Sequence, residues 1–475
     1  MKHEKQGDKE TQKTVVDDRG HEYVLTEKIG EGGQGSVYRT KNRNILIKLS
    51  HPVSSGEHGR WEARIRALMR QPIEPLPIAR PLAMITRPRA GYVMELMDGL
   101  EPLQDLMQRT DDAMQTEEKG LSGFIETGGL IRRHRLLLRL ARILAELHGK
   151  GLAYGDLSPA NIFISGTMEH SQVWLIDSDN ITSISVDQGR ALYTPDYAAP
   201  EILKGASGIS TSTDSWSFAV IAYRLLTLNH PFKGDGVLDG SPELEELALK
   251  GSLPWVQHPT DSSNAVSVGL PAELVLDERL KPLFEQCFNA GRDNPTGRPR
   301  MTEWAEAFEI AIGSCTSCDA CESSFFWDET RTCPFCDHQM DEDEPILVTE
   351  LRYMPPDRIL EGLDIEIPDE QIRNSCWEKT GRQRVVGRRP VHVRKTGYSD
   401  LDQADDNEFC VMSISDMGLT IKPSRDEDVH LQTGGEDPVR LRREEILKRQ
   451  SRSGSRFYLH LGPCHQEHLV LSFKW

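Results

Sequence analysis

Asp156 and Asn161 stand five residues apart in the string Tyr154-Gly155-Asp156-Leu157-Ser158-Pro159-Ala160-Asn161, shortly after an amphipathic run, Leu136–His148. A second acidic turn, Asp177-Ser178-Asp179, follows an apolar strand-like run, Val173–Ile176. A helix, a polar loop and a strand ending in acid constrain the fold, because they are useful only if the two loops meet. The chemistry is that of hard oxygen donors. One carboxylate can orient a hydroxyl, and an Asn with a second carboxylate can hold a divalent cation.

A chain of 475 residues exceeds one typical core, so two or three domains are expected. With 37% hydrophobic and 27% charged residues the composition is globular, and a net charge of -18 argues against a nucleic-acid partner. No run of 18 apolar residues occurs and Met1–Asp18 is polar, so neither a membrane span nor a signal peptide is expected. The nine cysteines are odd in number and partly paired as C-x-x-C. Without an export signal they read as reduced thiols and metal ligands in a cytoplasmic protein.

Along the chain, residues 1–20 read as a polar tail. Strand-like runs follow at Tyr23–Leu25, Ser36–Tyr38 and Ile45–Leu49, with a helix at Trp61–Arg70 and a strand at Gly91–Met97. Thr110–Gly129 reads as a loop insertion. Ser215–Leu228 is apolar nearly all round, as in a buried helix. Gly234–Pro271 is loop-heavy and Leu280–Ile312 helical. Short β-type runs recur at Cys410–Ile414, Leu419–Lys422, Phe457–Leu461 and Leu469–Phe473.

Gly30-Glu31-Gly32-Gly33-Gln34-Gly35 matches G-x-G-x-x-G and lies between two strand-like runs, where glycines let backbone approach phosphates. Lys48 ends the following strand run and Glu62 lies in the next helix. Ala199-Pro200-Glu201, Asp214-Ser215-Trp216-Ser217, His230-Pro231-Phe232 and Arg298-Pro299 follow in order. Together these residues resemble the eukaryotic-like Ser/Thr protein kinases over about Tyr23 to Ile312.

The resemblance implies an α+β, bilobal protein-kinase-like fold, with an N-lobe at 21–97 and a C-lobe at 98–313. It implies ATP and magnesium as cofactors and a protein substrate. Lys48, held by Glu62, would bond the phosphates. Asn161 and Asp177 would bind magnesium, and Asp156 would orient the substrate hydroxyl. Ile29, Gly30, Gly32, Gly33, Gly35, Val37, Met94, Glu95, Met97 and Phe163 fall at nucleotide-contacting positions, with Met94 as gatekeeper. Glu201 and Arg298 would form a structural ion pair, and Thr194 would bond near Asp156.

Four departures from that pattern stand out. Tyr154-Gly155 replaces His-Arg, so no cation beside Asp156 would read an activation-loop phosphate. Ser158 replaces a Lys, Ser178-Asp179 replaces Phe-Gly, and Leu46 replaces a small Ala. Two alternatives therefore stand beside the kinase reading. One is an ATP-binding pseudokinase scaffold. The other is a small-molecule phosphotransferase of the aminoglycoside kinase type, against which the segment Thr194–Glu201 and the Asp214–Ser217 helix start argue.

Cys318-Asp319-Ala320-Cys321 and Cys333-Pro334-Phe335-Cys336 are two knuckles with eleven residues between them. Four thiolates at that spacing close a tetrahedron around zinc, giving a small zinc ribbon at 314–340 with no open position. Cys315 and His338 are weaker ligand candidates. Cys287, Cys376, Cys410 and Cys464 read as buried small apolar residues.

Residues 341–475 read as a β-rich accessory domain. Arg382–Lys395 is basic, either a solvated face or a docking patch, the former favoured. Val386-Gly387-Arg388 resembles a forkhead-associated module, but no Ser-x-x-His core accompanies it. A kinase with an appended zinc ribbon resembles those of tellurite-resistance-type systems. That implies a Ser/Thr phosphatase and a von Willebrand A protein as partners.

Overall fold

The computed structural model describes residues 13–32, 35–51, 55–114, 121–168, 170–183, 193–328, 330–340, 345–360, 375–394, 408–448 and 455–475. Alternation builds the first layer. Strands β1 (Thr14–Asp17), β2 (Glu22–Gly32), β3 (Gly35–Thr40), β4 (Ile45–Ser50), β5 (Pro81–Arg87) and β6 (Gly91–Glu95) close an antiparallel barrel in the order β1-β2-β3-β4-β6-β5. Ile47 and Leu49 of β4 point inward, onto Val15, Leu25, Ala83, Ile85 and Val93. Leu46 and Lys48 therefore project from the opposite face, because successive side chains in a strand alternate. Helix α1 (Ser55–Leu68) covers that second face with Trp61 and Ile65.

Strand β1 lies within the stretch whose composition reads as a tail. It pairs with both β2 and β5 and so leaves no barrel edge open. Asp17 at its end is buried and takes the backbone N–H groups of Arg19 (2.9 Å) and His21 (2.8 Å).

Helices follow. The stretch expected to be an insertion is partly helical, at Leu103–Met114 and Ser122–Glu126, with Leu106 and Thr110 buried. An amphipathic helix runs from Gly129 to Gly149. The buried helix Thr211–Thr227 begins at Ser210, whose hydroxyl accepts the Thr213 N–H while Thr213 bonds back, a capping box. Trp216 and Tyr223 of this helix meet Phe232, Phe284 and Phe288 in an aromatic core. Helix Met301–Gly313 is separate from Leu280–Glu285, because Pro295 and Gly297 interrupt the run expected to be continuous.

The described residues form two compact units. One draws on 1–112, 139–268 and 284–302, the other on 113–138, 269–283 and 303–475. In the second unit, Cys315–Ser317 pairs with Ser324–Phe326. The Ser324 hydroxyl accepts the N–H groups of Leu130 (3.0 Å) and Ile131 (3.1 Å), the first turn of the helix that starts at Gly129. Beyond residue 345 a six-stranded and a four-stranded sheet face each other. Val348, Leu459, Leu461, Leu471 and Phe473 from one pack on Cys410, Met412, Ile414, Leu419 and Ile421 from the other. The buried residues recur with period two, as a strand buried on one face requires.

The basic stretch is largely paired. Arg382 lies 3.6 Å from Glu309, Arg384 3.5 Å from Glu350 and Arg388 3.0 Å from Asp416. No described helix is long and apolar enough to cross a membrane.

Candidate active site

Register across three strands sets the polar end of the site. Val37 of β3 stands opposite Lys48 of β4, and Lys48 opposite Tyr92 of β6. Above them, Ile29, Val37, Leu46, Met94 and Phe163 share one apolar cluster with Ile176. Met94 is fully buried, Glu95 is exposed and Met97 is 41% exposed. The Leu96 N–H between them donates to Asn44 O (3.0 Å). At the glycine turn Gly30 pairs with Val37 and Gly32 with Gly35. A Cβ on Gly35 would stand 2.3 Å from Leu49 O, so only glycine fits there. Gly33 lies outside the described residues.

Lys48 is 3% exposed. Its ammonium bonds Asp177 Oδ1 and lies 3.0 Å from Asp179 Oδ2. Tyr92 donates its hydroxyl to Asp179 Oδ1. Burial pulls the Lys48 pKa down, but the charges of Asp179 and Asp177 outweigh it and the net shift is upward. Burial pushes the Tyr92 phenol well above its usual value, so it donates as a neutral group.

The expected Lys48–Glu62 pair is not formed. Glu62 is bonded by Arg66 Nε at 2.9 Å, one turn along its own helix. Two closer carboxylates occupy the ammonium. Asp179 and Tyr92 were not singled out by the sequence reading as ligands of this cluster. The available signal was a charged residue at the position expected to hold glycine.

Asp177 itself is left-handed, with φ 59 and ψ 54, a conformation costly for a non-glycine residue and typical of functional strain. Its approach is held by Tyr154, whose hydroxyl donates to Ile176 O, the carbonyl just before it. Asp214 holds the other loop. It accepts the N–H of Tyr154 (2.7 Å) and Gly155 (2.9 Å) and contacts His148 Nε2 at 2.9 Å. Gly155 has φ +96, and a Cβ there would lie 2.9 Å from both Asn180 O and Ile209 Cδ1. The missing arginine thus follows from local geometry.

Asp156 Oδ1 accepts the backbone N–H (3.0 Å) and the hydroxyl (2.9 Å) of Thr194, as expected. Asn161 Nδ2 donates to Asp156 O at 2.9 Å, which spares its carbonyl oxygen for another partner. Burial raises the Asp156 pKa, and the two Thr194 bonds offset part of that rise. Burial likewise raises Asp177, against the opposing charge of Lys48. Ser158 is buried, and Ser178 donates to Ala79 O at 2.9 Å, a polar contact where an aromatic ring was the pattern. Arg298 makes two bonds to Glu201, at 2.7 and 2.8 Å, with its cation over the Trp216 ring.

In the second unit, Cys318, Cys321, Cys333 and Cys336 place their sulfurs within 4.8 Å of one another. Cys318–Cys336 is 3.6 Å and Cys321–Cys333 3.7 Å, with Phe325 and Met340 packed around them. Cys315 lies outside this set, paired across its strand with Phe326. All nine cysteines are free thiols. Cys287, Cys376 and Cys410 are buried as expected, but Cys464 is half-buried in a hairpin turn, within 4.8 Å of His460 and His468.

A strained carboxylate beside a buried ammonium, opposite a second carboxylate clamped from the helical side, defines a protein-kinase-type catalytic cleft. Comparison with known proteins agrees. A family profile for the protein kinase domain matches residues 23–306, well over half of the chain, and the chain belongs to that family. It is 31% identical over 238 residues to the serine/threonine-protein kinase pkn2 of Myxococcus xanthus, covering 46% of this chain and 26% of that protein. It is 31% identical over 233 residues to the serine/threonine-protein kinase PknA of Mycobacterium tuberculosis, covering 46% of this chain and 49% of that one. Myosin light chain kinase A of Dictyostelium discoideum is 26% identical over 237 residues, with 73% of its length covered. The chain thus spans from a quarter to half of these two bacterial relatives.

Proposed function

We propose that this chain transfers the γ-phosphate of ATP to Ser or Thr hydroxyls of a protein. The observation that supports it is the meeting of Asp156, Asn161, Asp177 and Lys48 around one cleft, with Thr194 on Asp156. Asp156 is the carboxylate that orients the acceptor hydroxyl, and Thr194 holds it in place. Lys48 is the cation for the phosphates, and Asp179 with Tyr92 positions it where Glu62 was expected to. Ile29, Val37, Leu46, Met94 and Phe163 would enclose the adenine, and the backbone of Glu95 and Met97 would read its edge. Asn161 and Asp177 offer hard oxygens that would hold magnesium, which when bound would supply positive charge against the phosphates.

The four-cysteine cluster fits zinc in a closed tetrahedral site, a structural role. Its thiolates lie in the second compact unit. The free thiols accord with a reducing, cytoplasmic setting. A Ser/Thr phosphatase and a von Willebrand A protein remain the partners suggested by the kinase-plus-ribbon combination. Co-purification with each tests that suggestion.

The pseudokinase alternative draws on one observation, the engagement of Asp177 by Lys48. The test for both is phosphate transfer from labelled ATP with magnesium, comparing wild type with Asp156→Asn. Label on protein Ser/Thr that vanishes in the variant supports the kinase. ATP binding without transfer supports the scaffold, and transfer only to small hydroxyl compounds overturns both.

A further inference from the structure

The hairpin made by strands Arg456–Leu461 and His468–Lys474 carries His460 opposite Val470. His468 is two residues from Val470, so both histidines share one face of the six-stranded sheet. That face is the one turned away from the sandwich core, since Leu459, Leu461, Leu471 and Phe473 point inward. Both histidines are nevertheless buried, at 3% and 7% exposed. Tyr353 and Trp377 wall them in, with ring centroids 5.2 Å from His468 and 6.1 Å from His460 respectively.

Their protons can be assigned from partners that leave no choice. His468 Nδ1 lies 2.7 Å from Gln466 O, and a carbonyl only accepts, so Nδ1 carries the hydrogen and Nε2 is bare. Gln432 Nε2 donates to Glu436 O at 2.9 Å, so the amide oxygen of Gln432 is the atom facing His460. His460 Nε2, 2.9 Å from that oxygen, therefore carries its hydrogen and Nδ1 is bare. The two bare nitrogens face each other at 2.8 Å. Two lone pairs cannot rest there unless a cation sits with them. Cys464 supplies a third donor, its sulfur within 4.8 Å of a ring nitrogen of each histidine.

We propose that His460 Nδ1, His468 Nε2 and Cys464 Sγ form a second metal site, separate from the four-cysteine cluster and suited to zinc. Two imidazoles and a thiolate match zinc's preferred donors, and three protein ligands leave a fourth position at the half-buried turn. Gln432 and the Gln466 carbonyl serve as the outer partners that fix each ring's tautomer. With zinc–nitrogen bonds of about 2.0–2.1 Å in a tetrahedron, the two nitrogens would separate to roughly 3.3 Å. That is a shift of about half an ångström from the present 2.8 Å. His430, directly opposite His460 in the strand register, has a buried Nδ1 with no hydrogen-bond partner among the described residues.

The test uses the full chain, purified under reducing conditions without chelator, with metal counted by elemental analysis. Two zinc ions per chain are expected in the wild type, and one in Cys464→Ser. The Cys333→Ser, Cys336→Ser double variant should keep one. Cobalt added to that double variant after its zinc is stripped by chelation should give tetrahedral visible bands with a single thiolate charge-transfer band, abolished by adding Cys464→Ser. Gln432→Leu, which leaves all three ligands in place, should weaken cobalt binding about 10–100-fold. If the double variant does not fold, the wild-type and Cys464→Ser counts alone decide. One zinc per chain in the wild type, a count unchanged by Cys464→Ser, or a metal-free pair sharing a single proton by nitrogen-15 NMR would each overturn the site.

Discussion

Asp179 sits 3.0 Å from the ammonium of Lys48 with a fully buried side chain, at a position where the kinase pattern leads one to expect glycine. Lys48 is thereby held by two carboxylates on one loop, while Glu62 stays with Arg66. Removing one partner of a buried ion pair costs roughly 3–5 kcal/mol, because the other is left charged and dry. Lys48→Met should therefore abolish transfer and also lower the melting temperature. Asp179→Asn should reduce kcat by about 100-fold, on the scale of a lost positioning group, while Glu62→Ala should change it by less than about threefold. In the double variant Lys48→Met, Asp179→Asn, part of the lost stability should return without activity. Calorimetry and turnover on the four proteins check this, and a Glu62→Ala loss as large as that of Asp179→Asn would refute it.

Acid should switch the enzyme off early. In its proposed role Asp156 works ionised, and burial raises its pKa above the ordinary carboxylate value. As pH falls through that raised value the carboxylate gains a proton and stops accepting the acceptor hydroxyl's hydrogen bond. The acid limb of kcat/KM should thus lie above the normal Asp range, and Thr194→Val, which removes one offsetting bond, should move it higher still. A limb that stays put in Thr194→Val would count against the assignment.

Activity should not need an activation-loop phosphate. Gly155 occupies the place of the arginine that would read it, and its positive φ and close neighbours disfavour any side chain there. The candidate acceptors are Thr182, Ser183 and Ser185, of which Ser185 lies outside the described residues. Replacing all three with Ala should leave turnover of an added substrate within about threefold, below the 0.7 kcal/mol that such a factor represents. Silencing by the triple change would disprove it.

Loss of zinc from the proposed four-cysteine site should act locally. The double variant Cys333→Ser, Cys336→Ser should lose one metal ion and expose residues 315–340 to proteolysis, since ribbon folding and metal binding are one event. Nucleotide affinity should hold within about threefold, as checked by titration. A loss of tenfold or more would mean the two are coupled.

Asp156, Asn161, Asp177 and Lys48 were legible because each sits in a short string whose spacing carries its chemistry. The clustering of Cys318, Cys321, Cys333 and Cys336 was legible for the same reason. Asp179 and Tyr92 were not, because their meeting joins a turn and a strand 87 residues apart in sequence. Glu62 was placed by rule, yet Arg66 one turn away and two nearer carboxylates decided the outcome. Cys464 looked like a stray core thiol because its companions, His460 and His468, flank it at a spacing of four on either side, and only the closing of the hairpin brings all three together. The strand at Thr14–Asp17 was hidden by polar neighbours. Its partners β2 and β5, not its own composition, make it a strand.

The hydroxyl of Ser324 completes the first turn of a helix that begins 195 residues earlier, at Gly129. The profile match stops at residue 306, so a protein trimmed there would lose this cap and expose orphan amides. Amide exchange should show it as fraying at Leu130 and Ile131. Sequence homology and cooperative folding therefore mark different ends for this kinase, and an expression boundary chosen by the first would cut through the second.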